Sequence, residues 1–450
     1  MNINKNMKFL KKYEFYLIIL ILILGLFLRL GLDHYMWIDE TISASVAKTI
    51  SETGTTTLPG GTEYNRAYLF HKAMSLFVGF GDAGVRFISV IFGLLTIFLA
   101  YLFSKKFLSK DFALVFPLLV AISTIEIFYS TQARMYQAFQ FFYYLTFYLF
   151  YVYIKNKNYK FLFFTLISLY LTTHIHLLGF ISIPLLAFMY FIYNPKTLKN
   201  YQYIILGTIF LISTIYLYVR LQNLLDFELA IIYSSYYFFF LSSLFTIPLL
   251  GGIGMIRSLF DDYKLHLSLI LYTIIPIIGL FFIKYFATRY LYFAYFGFLF
   301  YAIYLISKLE YKWVVLILLI VLHSYSFGVQ NPEVLYDNTM PGADYEAAFE
   351  YAKTYDLPIA TSWSPAASWY GFNISYQLNY SLSGTNRNFW SNSKNPGLDR
   401  WTGAKVVSSR AELPLSYVLV LDMQGKRKIS SSFYENCEVR TFRNVNVYKC

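Results

Sequence analysis

Along the first 330 positions, apolar stretches alternate with short polar breaks. Most are about 20 residues long, the length that crosses a hydrocarbon core of roughly 30 Å. The pattern predicts helices near 14–32, 84–104, 112–130, 135–154, 161–173, 177–193, 201–219, 231–256, 265–283, 290–307 and 311–327, about eleven spans of a polytopic α-helical membrane protein. Between the first two lies a long outer loop, 33–83, with apolar segments at 42–50 and 67–80 parted by Pro59, Gly60 and Gly61. The second segment, about 14 residues, suits an interfacial helix better than a span. After Asn331-Pro332 the pattern turns mixed and polar. A helix-like stretch at 344–355, an apolar run at 358–361 and a strand-like run at 417–421 predict a small α/β or α+β domain. The expected division is therefore 1–331, the transmembrane part with its outer loop, and 332–450, a soluble part outside the cytoplasm.

Residues 161–193 are 33 uncharged positions between Lys160 and Lys196. At about 1.5 Å rise per residue they are short for two crossings, yet parity demands an even number. Two short or broken helices are expected, with the turn 172–176 in a recess, because irregular backbone at membrane depth needs surrounding protein or a water-filled cavity.

Composition agrees: 57% of the 450 residues are hydrophobic and 14% charged, against about a quarter charged in soluble domains. The net charge of +12 raises nucleic acid as a partner until its location is considered. Residues 1–331 hold 25 basic and 14 acidic side chains, and 16 of the 25 fall in six clusters: the N-terminal lysines 5, 8, 11 and 12, then 105–110, 155–160, 196–199, 257–264 and 308–312. Every second loop carries one, as basic residues retained in the cytoplasm would. The charge is thus a topology signal: N-terminus inside, C-terminal segment outside, and an uncleaved signal anchor at the start. Cys437 and Cys450 are too few for a disulfide scaffold or metal cluster. A two-residue turn at Arg443-Asn444 would set them opposite each other, and Glu438 opposite Lys449; a disulfide and two unpaired thiols both remain open. There is no internal repeat, Gly-rich phosphate loop or Cys/His metal spacing.

Candidate chemistry begins at Asp39-Glu40, adjacent carboxylates just beyond the first span. Such a pair can act as a base, coordinate a cation or simply be solvated. The segments Leu26-Phe27-Leu28-Arg29-Leu30 and Met36-Trp37-Ile38-Asp39-Glu40 resemble the first helix and outer loop of membrane glycosyltransferases with the GT-C fold. Within that fold they look most like the branch of protein O-mannosyltransferases and lipid A aminoarabinose transferases. Val85-Arg86-Phe87-Ile88-Ser89, Phe92-Gly93-Leu94, Gln132-Ala133-Arg134-Met135-Tyr136, Thr173-His174-Ile175-His176 and Thr288-Arg289-Tyr290 follow in the expected order. The resemblance covers roughly the first 300 residues.

It implies a donor sugar carried on polyprenyl or dolichyl phosphate and a hydroxyl acceptor on protein, glycan or lipid. The leaving phosphate is already a weak base, so the chemistry needs a base for the acceptor hydroxyl and cations for the phosphate. Asp39 is the candidate base of an inverting transfer, with Glu40 orienting it or binding acceptor. Glu126 is either a second acidic wall of the sugar pocket or a structural partner of Arg134, itself a candidate ligand of phosphate or sugar. Arg86 and Arg289 either clamp a phosphate or snorkel to headgroups. His174 and His176, in an extended turn, would share a face and bind a divalent metal with Asp39 or Glu126, hydrogen-bond a sugar or phosphate, or serve structure. Tyr136 and Tyr290 gain weight from their neighbours. One stretch departs from the family: Asn65-Arg66-Ala67-Tyr68-Leu69-Phe70-His71 stands where many members carry His-Pro-Pro-Leu, which leaves the acceptor open. No cofactor is certain. The rival classes are a transporter or flippase of a lipid-linked sugar, which predicts repeat symmetry and midplane charges, and a non-catalytic partner subunit, in which Asp39 is dispensable.

Overall fold

The computed structural model describes residues 3–194, 208, 246–280, 288–329, 342–379, 395 and 397–450. The expected span 201–219, except residue 208, and the first part of 231–256 lie outside them. The chain forms two compact units, one of residues 1–30, 89–131 and 135–331, the other of 31–88, 132–134 and 332–450. Helices α1 (Ile3–Phe27), α2 (Ile38–Thr53), α3 (Tyr68–Met74), α4 (Gly81–Phe107), α5 (Val115–Ile122), α6 (Thr124–Ser130), α7 (Tyr136–Asn156), α8 (Tyr159–Ile175) and α9 (Ser182–Tyr193) are followed by Thr246–Ser258, Tyr263–Leu280, Tyr292–Ser307 and Lys312–Val329.

Among the described residues three stretches, Tyr68–Phe107, Tyr263–Leu280 and Arg289–Ser307, are long and apolar enough to cross a bilayer, or four if the bent pair α5 and α6 is one span. The expected eleven are thus not reached among these residues. Composition rather than length holds α7 back: its 21 residues include Gln137, Gln140 and six tyrosines. Tyr143, Tyr144 and Tyr272 are buried in the helical unit, and their hydroxyls are satisfied there, Tyr272 by donating to Ser182 Oγ at 2.9 Å.

The expected span 112–130 is a broken helix. Ser123 is extended, and the axis turns by 56°, so the carbonyls of Val120 and Ala121 lose their helical donors. Arg29, fully buried, supplies replacements: Nη1 donates to Ala121 O at 3.0 Å, Nη2 to Val120 O at 3.4 Å and Nε to Ser130 Oγ at 2.7 Å. Gly93 permits this approach, because a Cβ there would meet Ser130 Cβ at 2.7 Å and Arg29 Nε at 3.0 Å. A second correction concerns the turn at 172–176. The backbone stays helical through Ile175, and only His176 is extended before a 3-10 turn, Leu177–Ile181.

In the second unit, the outer loop and the C-terminal residues share one hydrophobic core, in which Trp37, Ile42, Val46 and Ile50 join Phe349, Trp363, Leu419 and Val447. Its six-stranded sheet has the order β3-β2-β1-β4-β6-β5: Lys405–Val407, Tyr376–Leu378, Ile359–Thr361, Val418–Asp422, Val445–Lys449 and Glu438–Phe442. The first four strands are parallel, and β6 and β5 add as an antiparallel hairpin. β1 and β4 are buried throughout, as parallel strands covered on both faces are. The hairpin has the expected register: Glu438 faces Lys449, Asn444 takes the left-handed turn conformation at φ 56°, and Cys437 and Cys450 are joined in a disulfide. Trp363 Nε1 donates to Thr41 Oγ1 at 2.9 Å and Ser45 Oγ to Pro365 O at 2.7 Å, fastening α2 to the segment after β1.

Candidate active site

In the second unit, α2 places both carboxylates in its first turn, where the exposed N–H groups of a helix favour negative charge. Glu40, three residues after the N-cap, reaches back to accept from Trp37 N at 3.1 Å. This is half of a capping box; Trp37 cannot supply the other half, because an indole nitrogen only donates. Glu40 accepts three further bonds, from Arg86 Nε at 2.9 Å, Arg86 Nη2 at 3.0 Å and Ala133 N at 2.7 Å. It is wholly buried. Burial pushes its carboxyl pKa up, but the Arg86 charge and hydrogen bonds outweigh this and hold it below the usual glutamate value. Arg86 in turn donates Nη1 to the carbonyls of Leu32 and His34 at 2.6 and 2.7 Å, so its fork is taken up by Glu40 and the loop. Asp39 differs: its side chain keeps 15% exposure and pairs with Arg134 Nη2 at 3.5 Å. Arg134 is steadied by donating Nη1 to Asp39 O at 2.9 Å and to Ser43 Oγ at 2.8 Å.

In the helical unit, Glu126 sits in a cage of neutral polar groups. Gln140 Nε2 donates to it at 3.0 Å, Tyr292 OH at 2.5 Å and Gln137 Nε2 at 3.4 Å, while Gln137 also reaches Thr96 Oγ1 at 2.9 Å. Tyr292 also lines a small cleft with Tyr136, Phe139, His176, Arg289, Tyr290 and Phe293. The His176 and Tyr290 rings lie 5.7 Å apart, and the Arg289 guanidinium stacks 5.6 Å from Tyr290. His176 Nδ1 accepts from Leu178 N at 3.3 Å, which in the neutral ring leaves the proton on Nε2.

Four predicted residues, Tyr136, His176, Arg289 and Tyr290, therefore share one cleft, and Asp39, Glu40, Arg86 and Arg134 share one network. His174 does not share a face with His176. Being helical, it stacks on Tyr170 with centroids 3.9 Å apart and bonds Tyr170 O through Nδ1. Among the described residues no three His, Cys, Asp or Glu groups are placed to hold a metal. Sequence reasoning passed over Gln137, Gln140 and Tyr292, whose only signal was polarity inside apolar helices, and over Arg29 as the group that holds the α5–α6 break.

No family model and no curated protein matches the chain. Among solved structures, ArnT from Cupriavidus metallidurans in the apo state is similar at a TM-score of 0.60 and 9% identity, over 98% of this chain and 98% of that one. ArnT from the same organism bound to undecaprenyl phosphate is similar at a TM-score of 0.60 and 9% identity, over 96% of this chain and 97% of that one. Across nearly its whole length this chain thus has the GT-C fold of ArnT.

Proposed function

We propose that the chain is a membrane glycosyltransferase that moves one sugar, a hexose or a relative of one, from a polyprenyl phosphate to a hydroxyl acceptor on the outer side of the membrane. The observation that carries this reading is the division of labour in the acidic pair. Glu40 is wholly buried and its acceptor sites are filled by four donors, which makes it a positioning residue, whereas the Asp39 side chain keeps 15% exposure and pairs with Arg134. Asp39 takes the acceptor's O–H proton as that oxygen bonds to the anomeric carbon. The bond from that carbon to the phosphate oxygen breaks, its electron pair leaving with the polyprenyl phosphate, so the centre inverts. Arg134 keeps the base aimed. Arg289, the His176 N–H and the hydroxyls of Tyr136 and Tyr290 are a suitable donor set for an anion. The likeness to ArnT bound to undecaprenyl phosphate supports a polyprenyl phosphate as the partner; the acceptor is protein, glycan or lipid.

The test is transfer in vitro from a panel of polyprenyl-phosphate sugars. Asp39→Asn is expected to lose turnover by about 100-fold or more, the usual share of a positioned base, while still binding undecaprenyl phosphate. Full activity in the variant would remove Asp39 as the base. Excess chelator in the same assay tests metal dependence: persistent activity would reject a loosely held catalytic cation.

A further inference from the structure

His71 and Gln132 have no part in the network described so far, yet both are almost completely buried in the second unit, each 1% exposed. His71 Nδ1 lies 3.0 Å from Arg66 O. A carbonyl oxygen only accepts, so Nδ1 carries the hydrogen. Nε2 is buried without a hydrogen-bond partner among the described residues. Burial of the ring first, and the Arg134 charge after it, oppose a second proton, so Nε2 presents a lone pair. Tyr64 and Phe70 wall the imidazole, each with its centroid 5.8 Å away. Gln132 lies two residues before Arg134, whose N–H it accepts at 2.7 Å through its backbone carbonyl; neither atom of its side-chain amide has a partner among the described residues. A buried polar group left unbonded is costly; Gln132 stands two residues before the arginine that pairs with Asp39, and the charge of that arginine acts on the His71 ring.

We propose that His71 Nε2 and the Gln132 amide form a neutral subsite that reads hydroxyl groups of the carbohydrate undergoing transfer, on the donor sugar or on a sugar acceptor. The sign of the vacant atom decides the ligand chemistry. A lone pair repels a phosphate oxygen and accepts from O–H, while an amide both donates and accepts, the complement of a polyol. This rests on the glycosyltransferase reading and deepens it, making His71 and Gln132 specificity-determining residues rather than ligands of the lipid phosphate.

The test follows the ring nitrogens of 15N-histidine-labelled full-length protein in nanodiscs by NMR. One imidazole, absent in His71→Phe, should show a protonated Nδ1 and a bare Nε2. Undecaprenyl phosphate alone should leave that Nε2 unmoved. Undecaprenyl phosphate carrying a sugar should shift it if the donor sugar is read, and a methyl glycoside added beside undecaprenyl phosphate should shift it if a sugar acceptor is read. Gln132→Leu should weaken the sugar-dependent shift by about ten-fold in apparent affinity with undecaprenyl phosphate binding retained. An Nε2 protonated at rest, a shift produced by undecaprenyl phosphate alone, or no shift with any hexose or pentose of the panel would each overturn the proposal. Asp39→Asn protein should give the same shifts, so failure of the base assignment reads out separately, in transfer.

Discussion

Glu40 and Arg86 lie 46 positions apart in the chain and meet in a fork fully removed from water. Removing one partner of such a pair leaves an uncompensated buried charge, at a cost of about 3–5 kcal/mol. Arg86→Met is therefore expected to lower stability by about that amount in a denaturant or thermal melt, and Arg86→Met with Glu40→Leu by clearly less than the two single losses added. Additive losses would reject the coupling. The pH dependence has a definite sign. Because the folded-state carboxyl sits below its ordinary value of 4.5, the pair's contribution is fully present above the ordinary glutamate range and is lost as pH falls through the folded value. That two carboxylates stand at the start of the outer loop was legible in the chain. Which of them is wholly buried and bonded was not, since it depends on Arg86 and on the backbone N–H of Ala133, 93 positions away from Glu40. His71 was illegible for the same reason: a lone histidine on a short apolar helix shows its unpaired nitrogen only once Arg66 O and Arg134 are in place.

At the scale of elements, local patterning carried the β5–β6 hairpin completely. Alternation on either side of Arg443-Asn444 fixed the register that sets Glu438 against Lys449 and brings the cysteine Cα atoms to 4.5 Å. The disulfide spans a sequence separation of 13, and in the chain-entropy account a loop of that size is worth about 3 kcal/mol. Reduction, or Cys437→Ser with Cys450→Ser, should lower the melting of the second unit accordingly, and an unchanged melt would show the closure to be energetically idle. The loop before β3 was not legible, because its organiser is a buried acid acting across the fold. Asp399 accepts from Trp401 N, Thr402 N and Thr402 Oγ1 at 3.1, 2.8 and 2.8 Å, and from Ser364 Oγ at 3.0 Å. Burial exceeds these hydrogen bonds and pushes its pKa up from 3.8 to about 6. With the folded value above the unfolded one, ionised Asp399 costs stability at neutral pH, and the cost fades as pH falls through about 6 toward 3.8. Asp399→Asn should therefore be at least as stable as the parent at neutral pH and lose that advantage in mild acid. A difference between the two that does not vary with pH would reject the assignment. The helix break at Ser123 and the helical course of 172–175 were likewise invisible to hydropathy, which counts apolar length and does not see Arg29 capping two carbonyls.

For the molecule as a whole, the alternation of basic loops makes a claim that the helical unit bears on directly. Loops assigned to one side of a membrane must meet on one side of the bundle. Lys105 pairs with Glu14 at 3.3 Å, Lys312 with Asp111 at 3.3 Å and Lys308 with Asp261 at 2.7 Å, while Arg257 also reaches Asp261 at 3.1 Å. Lys106 lies over the Tyr151 ring, as does Lys155, and Lys157 Nζ donates to Asn194 Oδ1 at 2.8 Å. The N-terminal helix and the clusters at 105–110, 155–160, 257–264 and 308–312 thus gather on one face. The Lys157–Asn194 bond also returns the 33-residue stretch to the side from which it leaves, which meets the parity demand with the short helices α8 and α9. In the topology we propose, retention of basic loops makes that face cytoplasmic, and the Cys437–Cys450 disulfide fits an oxidising compartment around the second unit. In intact cells or right-side-out vesicles, a membrane-impermeant maleimide should therefore label Leu415→Cys, where the parent side chain is 94% exposed, and leave Lys157→Cys unlabelled until the membrane is opened. The opposite pattern would put Asp39 in the cytosol, with a reducing environment around Cys437 and Cys450, and would remove the outward-facing reaction along with the topology.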